Sequence, residues 1–292
     1  MLQPGERPDP VPAAGEVLVR IRAACVNPTD LAARSAGNAY IHELEPPFVP
    51  GWDLAGEVAA LGDFVTTFSV GDRVCGMIPF ARIGGRVGAY AELAAVPPEW
   101  LSPLADTVSF DDAATLPLNS LTAHQALEHF DLSPGERLLV TGASGGVGGF
   151  AVSLAARVGL SVIAVAGRDD EEWVRSLGAT TVLPRDADLG AIAPVDGVLD
   201  AVPVGAERSA VALRSGCTAV FTRPPTSPPN DGNHYETVRV QSDPATLHEM
   251  AALLAAGVLR TRVARVLPLE AAAEAHRLVE RGGLHGKVIL RP

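Results

Sequence analysis

The run VTGASGGVGGFAVSLAARVG, residues 140–159, constrains the fold of this chain more than any other stretch. It begins at the end of a short apolar run, Arg137-Leu138-Leu139-Val140, which reads as a buried strand. Past the first glycines, apolar residues recur at Val147, Phe150, Ala151, Leu154, Ala155 and Val158, gaps that make one face of a helix. Gly142, Gly145, Gly146, Gly148 and Gly149 therefore sit where a strand turns into a helix. At such a place the backbone can approach a phosphate, with free N–H groups and the positive helix end turned toward it. Residues 161–166 read as the next strand, so the unit is strand–turn–helix–strand, the context a dinucleotide fingerprint requires. The spacing is G-x-x-G-G-x-G rather than G-x-G-x-x-G, and a purely structural turn is the other reading. On the binding reading, Ser144, Gly145, Gly146 and Val147 wrap the pyrophosphate, with the N–H groups of Gly146 and Val147 as donors.

The end of the second strand says which dinucleotide. A carboxylate there suits the ribose hydroxyl of NAD, and a cation suits the 2′-phosphate of NADP. The chain reads Val165-Ala166-Gly167-Arg168-Asp169. Gly167 leaves room and Arg168 offers a planar cation, which favours NADPH; Arg168 as a surface charge is the alternative. Asp169 follows at once and counts toward NAD; its other reading is a cap for a helix starting near Glu171.

Around this unit the texture differs between the two halves of the chain. Residues 16–23 (EVLVRIRA) alternate apolar and polar, and 54–61, 72–78 and 89–96 are further strand candidates separated by glycine turns. That pattern predicts a compact barrel-like β domain. Beyond residue 109, helices are expected at 110–114 and 121–130, then strands at 137–140, 161–166, 181–183, 197–201 and 218–221 alternate with helices at 146–158, 171–177 and 207–213. This alternation predicts a parallel sheet covered by helices. RPPTSPPND, at 223–231, reads as a surface loop; a helix is expected over 243–256 and strand–helix–strand over 262–290. The net charge of −11 argues against nucleic acid or an anionic membrane as partner, and no apolar run has the length of a membrane span. Cys25, Cys75 and Cys217 are too few and too scattered for a disulfide framework and read as small buried residues. Together with a start that lacks a basic-then-apolar signal pattern, this points to the cytoplasm.

The chain resembles the zinc-independent quinone oxidoreductase branch of the medium-chain dehydrogenase/reductase superfamily. The stretches that carry the likeness are PDPVPAAGEVLVRIRAACVNPTD, PPFVPGWDLAGEVAALG, FSVGDRVCGM, LPLNSLTAHQAL, LLVTGASGGVGGFAVSLAARVG and LEAAAEAHRLVERGGLHGKVIL, in order along nearly the whole chain. The resemblance implies an α/β protein. A GroES-like β-barrel domain would be formed by residues 1–118 with 262–292, and a Rossmann domain with a doubly wound parallel sheet by 119–261, with a nicotinamide cleft between them. Zinc-dependent relatives have a cysteine ligand where this chain has Asn27, and Gly-His-Glu where it has Gly51-Trp52-Asp53. An indole does not bind a metal and no cysteine quartet is present, so the chain is expected to be metal-free.

Without a Lewis acid, the implied substrates are acceptors that take hydride readily, quinones and α,β-unsaturated carbonyls, as in enoyl reductases. By the same resemblance Asn27 and Thr122 lie near the nicotinamide, their other readings being a turn residue before Pro28 and a helix-start residue. Asp200, at a strand end, either lines the cleft or serves a turn. The polar group that relatives carry shortly after Asn-x-x-Asp is missing; Tyr40 and His42 follow on a loop, Tyr40 as candidate proton donor or packing residue. His124 stands where relatives often have an aromatic residue, and Leu93 where tyrosine is common. Relatives also have a strand hairpin ahead of PDPVPAAGEVLV, so either the barrel is shorter here or the start lies upstream. A homodimer paired at the Rossmann sheet edge is implied as well. The alternatives to a reductase are a chain that kept the fold but lost its redox chemistry for a step such as cyclisation, and a protein that senses NADPH without turnover.

Overall fold

The structure, a computed structural model, describes residues 2–34, 44 and 46–292. In chain order the elements are β1 (Val17–Val26), α1 (Pro28–Ala32), β2 (Asp53–Leu61), β3 (Arg73–Met77), β4 (Leu93–Val96), β5 (Leu101–Pro103), α2 (Phe110–Ala114), α3 (Pro117–Leu127), β6 (Arg137–Thr141), α4 (Gly146–Arg157), β7 (Ser161–Ala166) and α5 (Glu171–Ser176). There follow β8 (Thr181–Pro184), β9 (Val195–Asp200), α6 (Ala206–Ser209), β10 (Leu213–Phe221), β11 (His234–Thr237), α7 (Pro244–Ala255), β12 (Val263–Pro268), α8 (Ala272–Arg281) and β13 (Lys287–Arg291). They form two compact units. The first holds residues 1–118, 242–257 and 261–292; the second holds 119–241 and 258–260.

The first unit is built on a seven-stranded sheet in the order β12-β13-β1-β2-β3-β5, with β4 paired to β1. The alternation in EVLVRIRA does what its period requires: Val17, Val19 and Ile21 are buried while Arg20 and Arg22 are exposed. From Ala23 to Val26 every residue is buried, because β1 is covered on both faces there, with α2 and α8 packed against it. The chain's last strand pairs antiparallel to β1, Cys25 opposite Ile289, so residues 25 and 289 become neighbours through the sheet. Val17, Val19, Leu54, Val74 and Leu290 are fully buried, each worth about 2 kcal/mol relative to exposure.

In the second unit six strands lie parallel in the order β11-β10-β9-β6-β7-β8. Numbered from the first strand of the unit this is the doubly wound order 3-2-1-4-5-6. Its near-continuous apolar strands, such as Leu138-Leu139-Val140 and Val198-Leu199, are fully buried, as strands with both faces covered must be.

Several sequence expectations shift at the edges. The strand expected over 89–96 forms only over Leu93–Val96, because Ala89 and Tyr90 instead bond through their N–H groups to Gly51 O and Pro50 O. The helix expected over 207–213 is a single turn, Ala206–Ser209, followed by a 3-10 turn, and β10 begins at once at Leu213. Edge strand β11, after the proline-rich loop, had no reading; HYET alternates exposed and half-buried but is too short and polar to stand out. Asp170, buried, and not Asp169 stands at the start of α5. Cys25 and Cys75 are buried, Cys217 half-buried, all three as free thiols.

Candidate functional site

The second unit presents its site where its strand order reverses, between β6 and β9, since ligands bind beyond the carboxyl ends of strands at such a point. From Thr141 the chain passes through Gly142, whose φ is +62°, and reaches α4 at Gly146. A Cβ on Gly142 would lie 2.5 Å from Val202 Cγ1, and a Cβ on Gly148 only 2.2 Å from the carbonyl oxygen of Gly142. Both positions need glycine for the turn to lie down against the first turn of the helix. The N–H groups of Ala143 and Gly145 are taken up within the fold, by Val165 O at 3.1 Å and Gly142 O at 2.9 Å. Those of Gly146, Val147 and Gly148, in the first turn, have no intrahelical acceptor. With no acidic residue in that turn and Gly145 exposed, the arrangement fits a bound anion such as a pyrophosphate.

Two further groups flank the turn. Asp200 closes β9, pairs in register with Thr141, and accepts a 2.6 Å hydrogen bond from the Thr141 hydroxyl. Burial raises its carboxyl pKa, opposed by the Thr141 hydroxyl and by the backbone N–H groups of Val204, Val202 and Gly205. Asp200 is thus brought to the turn by the β6–β9 pairing rather than left as a loop residue. Gly167 and Arg168 follow β7; Arg168 is exposed and makes no ion pair among the described residues. Against Gly167 lies a second guanidinium that sequence reading passed over: a Cβ there would be 3.3 Å from Arg185 Nη2. Arg185 directly follows β8, and the Arg208 guanidinium donates to its carbonyl oxygen. Thr122 is buried in α3. His124, half-buried on the same helix, approaches the exposed Glu128 one turn on at 3.5 Å.

The first unit gathers a different kind of site. Asn27, 1% exposed, caps α1 and is clamped on every side. Its Nδ2 donates to Asp53 Oδ2 at 2.7 Å and to Cys25 O at 3.4 Å, while Lys287 Nζ donates to its Oδ1 at 2.7 Å. Asp53 takes a second bond from the Leu118 N–H at 2.7 Å. The Asn27 N–H donates to Asp30 Oδ2 at 2.7 Å, which the Tyr90 hydroxyl reaches at 3.3 Å; that hydroxyl is 3.1 Å from His276 Nε2. Burial pushes the Asp30 carboxyl up to about 8 and that of Asp53 up to about 7, against the pull of their hydrogen bonds and of Lys287. Burial lowers His276 to about 4 and pushes the thiols of Cys25 and Cys75 up to about 12, so these side chains are uncharged at neutral pH. Trp52, beside Asp53, is 6% exposed, and its indole Nε1 has no acceptor among the described residues.

Of the expected site residues, then, Ser144, Gly145, Gly146, Val147 and Asp200 gather at one strand switch, with Gly167 and Arg168 at the end of the neighbouring β7. Asn27 belongs to the first unit and Thr122 to the second. Tyr40 and His42 lie outside the described residues. Sequence reading missed Asp30, Tyr90, His276 and Lys287, the last two of which join through the return of the chain's last segment. Among the described residues no three His, Cys, Asp or Glu side chains group as metal ligands, and no helix is long and apolar enough to cross a membrane.

Comparison with known proteins agrees with this layout. Residues 13–106 match the alcohol dehydrogenase GroES-like domain family and residues 177–290 the zinc-binding dehydrogenase family. A quinone oxidoreductase of Mus musculus is 32% identical over 96% of this chain and 90% of its own length. A 2-methylene-furan-3-one reductase of Solanum lycopersicum is 31% identical over 95% of this chain and 72% of its own. Other curated relatives match along little more than half their length, 53–56%. The solved quinone oxidoreductase from Coxiella burnetii superposes with a TM-score of 0.86 at 28% identity, over 98% of this chain and 93% of that one.

Proposed function

Because this chain belongs to the medium-chain dehydrogenase/reductase superfamily, in its quinone oxidoreductase-like group, we propose that it is a zinc-independent, NADPH-dependent reductase of quinones or α,β-unsaturated carbonyls. The observation that carries the reading is the glycine cradle, where Gly142 and Gly148 leave no room for a side chain and the first-turn N–H groups of α4 face outward. Ser144, Gly145, Gly146 and Val147 hold the pyrophosphate on this account, and Asp200 borders the same switch point. Arg168 and Arg185 hold the 2′-phosphate of the cofactor, both exposed beside the open backbone of Gly167. A nicotinamide bound there supplies hydride from its C4.

Asn27 supports the metal-free part of the reading. Its carbonyl oxygen takes the Lys287 ammonium and its amide hydrogens go to Asp53 and Cys25 O, so neither end is placed as a metal ligand. Its role is therefore positioning: it locks Asp53 and Lys287 in the floor of the first unit. Thr122 and Tyr40 are proposed to orient the nicotinamide and to donate a proton, respectively; for a quinone, solvent serves as well. The free thiols fit a reducing cytoplasm. A homodimer through the open edge of β11 fits the half-exposed, alternating surface of that strand.

The test is a fluorescence titration of purified protein with NADPH and with NADH, followed by NADPH oxidation with 1,4-naphthoquinone and with an aryl enone. Tight NADPH binding, weak NADH binding and turnover of either acceptor are expected. Binding without turnover of any quinone or enone would end the reductase reading; absence of both cofactors from the site would end the assignment of the turn.

A further inference from the structure

Trp52 carries one polar atom, and the fold gives it nothing to bond. The residue is held rigidly: its carbonyl accepts from the Ile78 N–H at 2.6 Å, and Gly51 before it, at φ +110°, lies where a Cβ would meet Tyr90 Cδ1 at 2.6 Å. Its indole is 6% exposed and Nε1 finds no acceptor among the described residues. A buried N–H without a partner is rare in folded proteins, because it forfeits its bond to water.

The surroundings say what would accept the bond. The indole and Phe80 meet edge to face, ring centroids 5.6 Å apart at 71°, and Phe80 stacks with Phe48 at 6.4 Å and 19°. The Arg82 guanidinium lies over the indole, 5.7 Å from the ring centroid. Phe80 is buried, but Phe48 is half-buried and Arg82 exposed, so what covers the indole is in part a long side chain at the surface. Flat walls favour a flat conjugated body, the N–H wants an oxygen, and the guanidinium adds positive potential where negative charge gathers on that oxygen.

We propose that Trp52 is a substrate-binding residue whose indole N–H holds the carbonyl oxygen of a flat conjugated acceptor, a quinone in preference to an aliphatic enone, in the niche of Phe48, Phe80 and Arg82. This deepens the reductase reading and rests on it. During turnover the quinone takes up a hydride and one solvent proton and becomes the hydroquinone, while NADPH is oxidised to NADP⁺; the indole keeps its own proton.

The experiment compares equilibrium binding of 1,4-naphthoquinone and of naphthalene, which shares the flat body but lacks the oxygens, to the wild-type protein and to Trp52→Phe. Loss of the donor should weaken naphthoquinone binding about tenfold and leave naphthalene unchanged, with a matching rise in KM for naphthoquinone and an unchanged affinity for NADPH. Equal losses for both ligands, or none for either, would overturn the proposal, since a packing role cannot tell the two apart. Should Trp52→Phe not fold, the wild-type protein decides: one of its three tryptophan indole proton resonances must move downfield on adding naphthoquinone and not on adding naphthalene. No such shift means a water or nothing occupies the N–H. Oxygen-selective binding without NADPH oxidation keeps the Trp52 site and sinks the reductase reading; turnover with unchanged binding in Trp52→Phe does the reverse.

Discussion

The turn between β6 and α4 and the floor beneath Asn27 are made from opposite materials. The turn is backbone: within a dozen residues, glycines remove side chains so that N–H groups face outward. The floor is side chain: Asn27, Asp30, Asp53, Tyr90, His276 and Lys287, six residues spread over 260 positions, meet there, all buried but the half-buried Lys287. A backbone site fails when something is added to it; a side-chain site fails when something is removed. On the proposed reading the first is tuned for an anion from outside, the second for its own internal balance.

The sharpest way to break that contrast is at Gly148. Alanine is the smallest possible addition, yet its Cβ would sit 2.2 Å from the Gly142 carbonyl oxygen, and backbone on both sides cannot yield cheaply. Gly148→Ala should weaken NADPH binding roughly a hundredfold, about 3 kcal/mol, in a fluorescence titration. An affinity within twofold of wild type would mean the turn does not hold the pyrophosphate.

Removal should hurt on the other side. Lys287→Met takes the ammonium from Asn27 Oδ1 and from the neighbourhood of Asp53, leaving a buried polar group short of its partner. Chemical denaturation should show a loss of about 2 kcal/mol, while NADPH affinity stays within twofold. A variant that keeps its stability but loses cofactor binding would invert the division of labour argued above.

The two regions also differ in how far they could be read from sequence, and for the same reason. Glycine spacing, the apolar run before it and the helical period after it are all local, so the β6–α4 turn and its neighbour β7 were legible from residues 137–166 alone, and the parallel sheet from the strand–helix alternation beyond residue 109. Asn27 could be singled out only by likeness to relatives, and nothing around it announced Lys287, because their neighbourhood is created by β1 pairing with β13. Arg185 was invisible for a milder form of the same reason: it is next to Gly167 across the β7–β8 pairing, with Ala166 opposite Pro184, but eighteen positions away along the chain. The short polar strand β11 escaped, and α6 was expected longer than it is, because hydrophobic period is the main signal and they have almost none.

Arg185 therefore sharpens the comparison, being a side chain added to a backbone site. Arg185→Ala should cut the preference for NADPH over NADH about tenfold, near 1.4 kcal/mol, and leave thermal stability unchanged, as its guanidinium is exposed and makes no ion pair among the described residues. Arg168→Ala should act in the same direction. If only one of the pair changes the ratio of dissociation constants, that arginine alone reads the 2′-phosphate.

Asp30 offers a change of slope with pH rather than the loss of a contact, and it tests whether the floor is balanced as a neutral network. Burial raises the Asp30 carboxyl from its ordinary 3.8 to about 8 in the folded chain. Between about pH 4 and 8 the folded state therefore holds a proton that the unfolded state has released, and stability falls as pH rises through that window. Asp53, raised to about 7, acts with the same sign. His276, lowered from 6.5 to about 4, acts with the opposite sign: its stabilisation is complete above pH 6.5 and is lost as pH falls toward 4. Above pH 6.5 the histidine is thus silent and the carboxyls alone set the slope. Asp30→Asn keeps an oxygen to accept from the Asn27 N–H and the Tyr90 hydroxyl but has no proton to lose. Near pH 4 the variant should match the wild type within about 1 kcal/mol; as pH rises it should lack the wild type's fall, which is still roughly 1 kcal/mol per pH unit between pH 7 and 8. Parallel pH profiles for the two proteins would mean that Asp30 is already ionised at neutrality, stabilised by the Lys287 charge more than burial opposes it. The floor would then be an ion-pair network, and its likeness to the anion-ready turn would be closer than the hydrogen bonds alone imply.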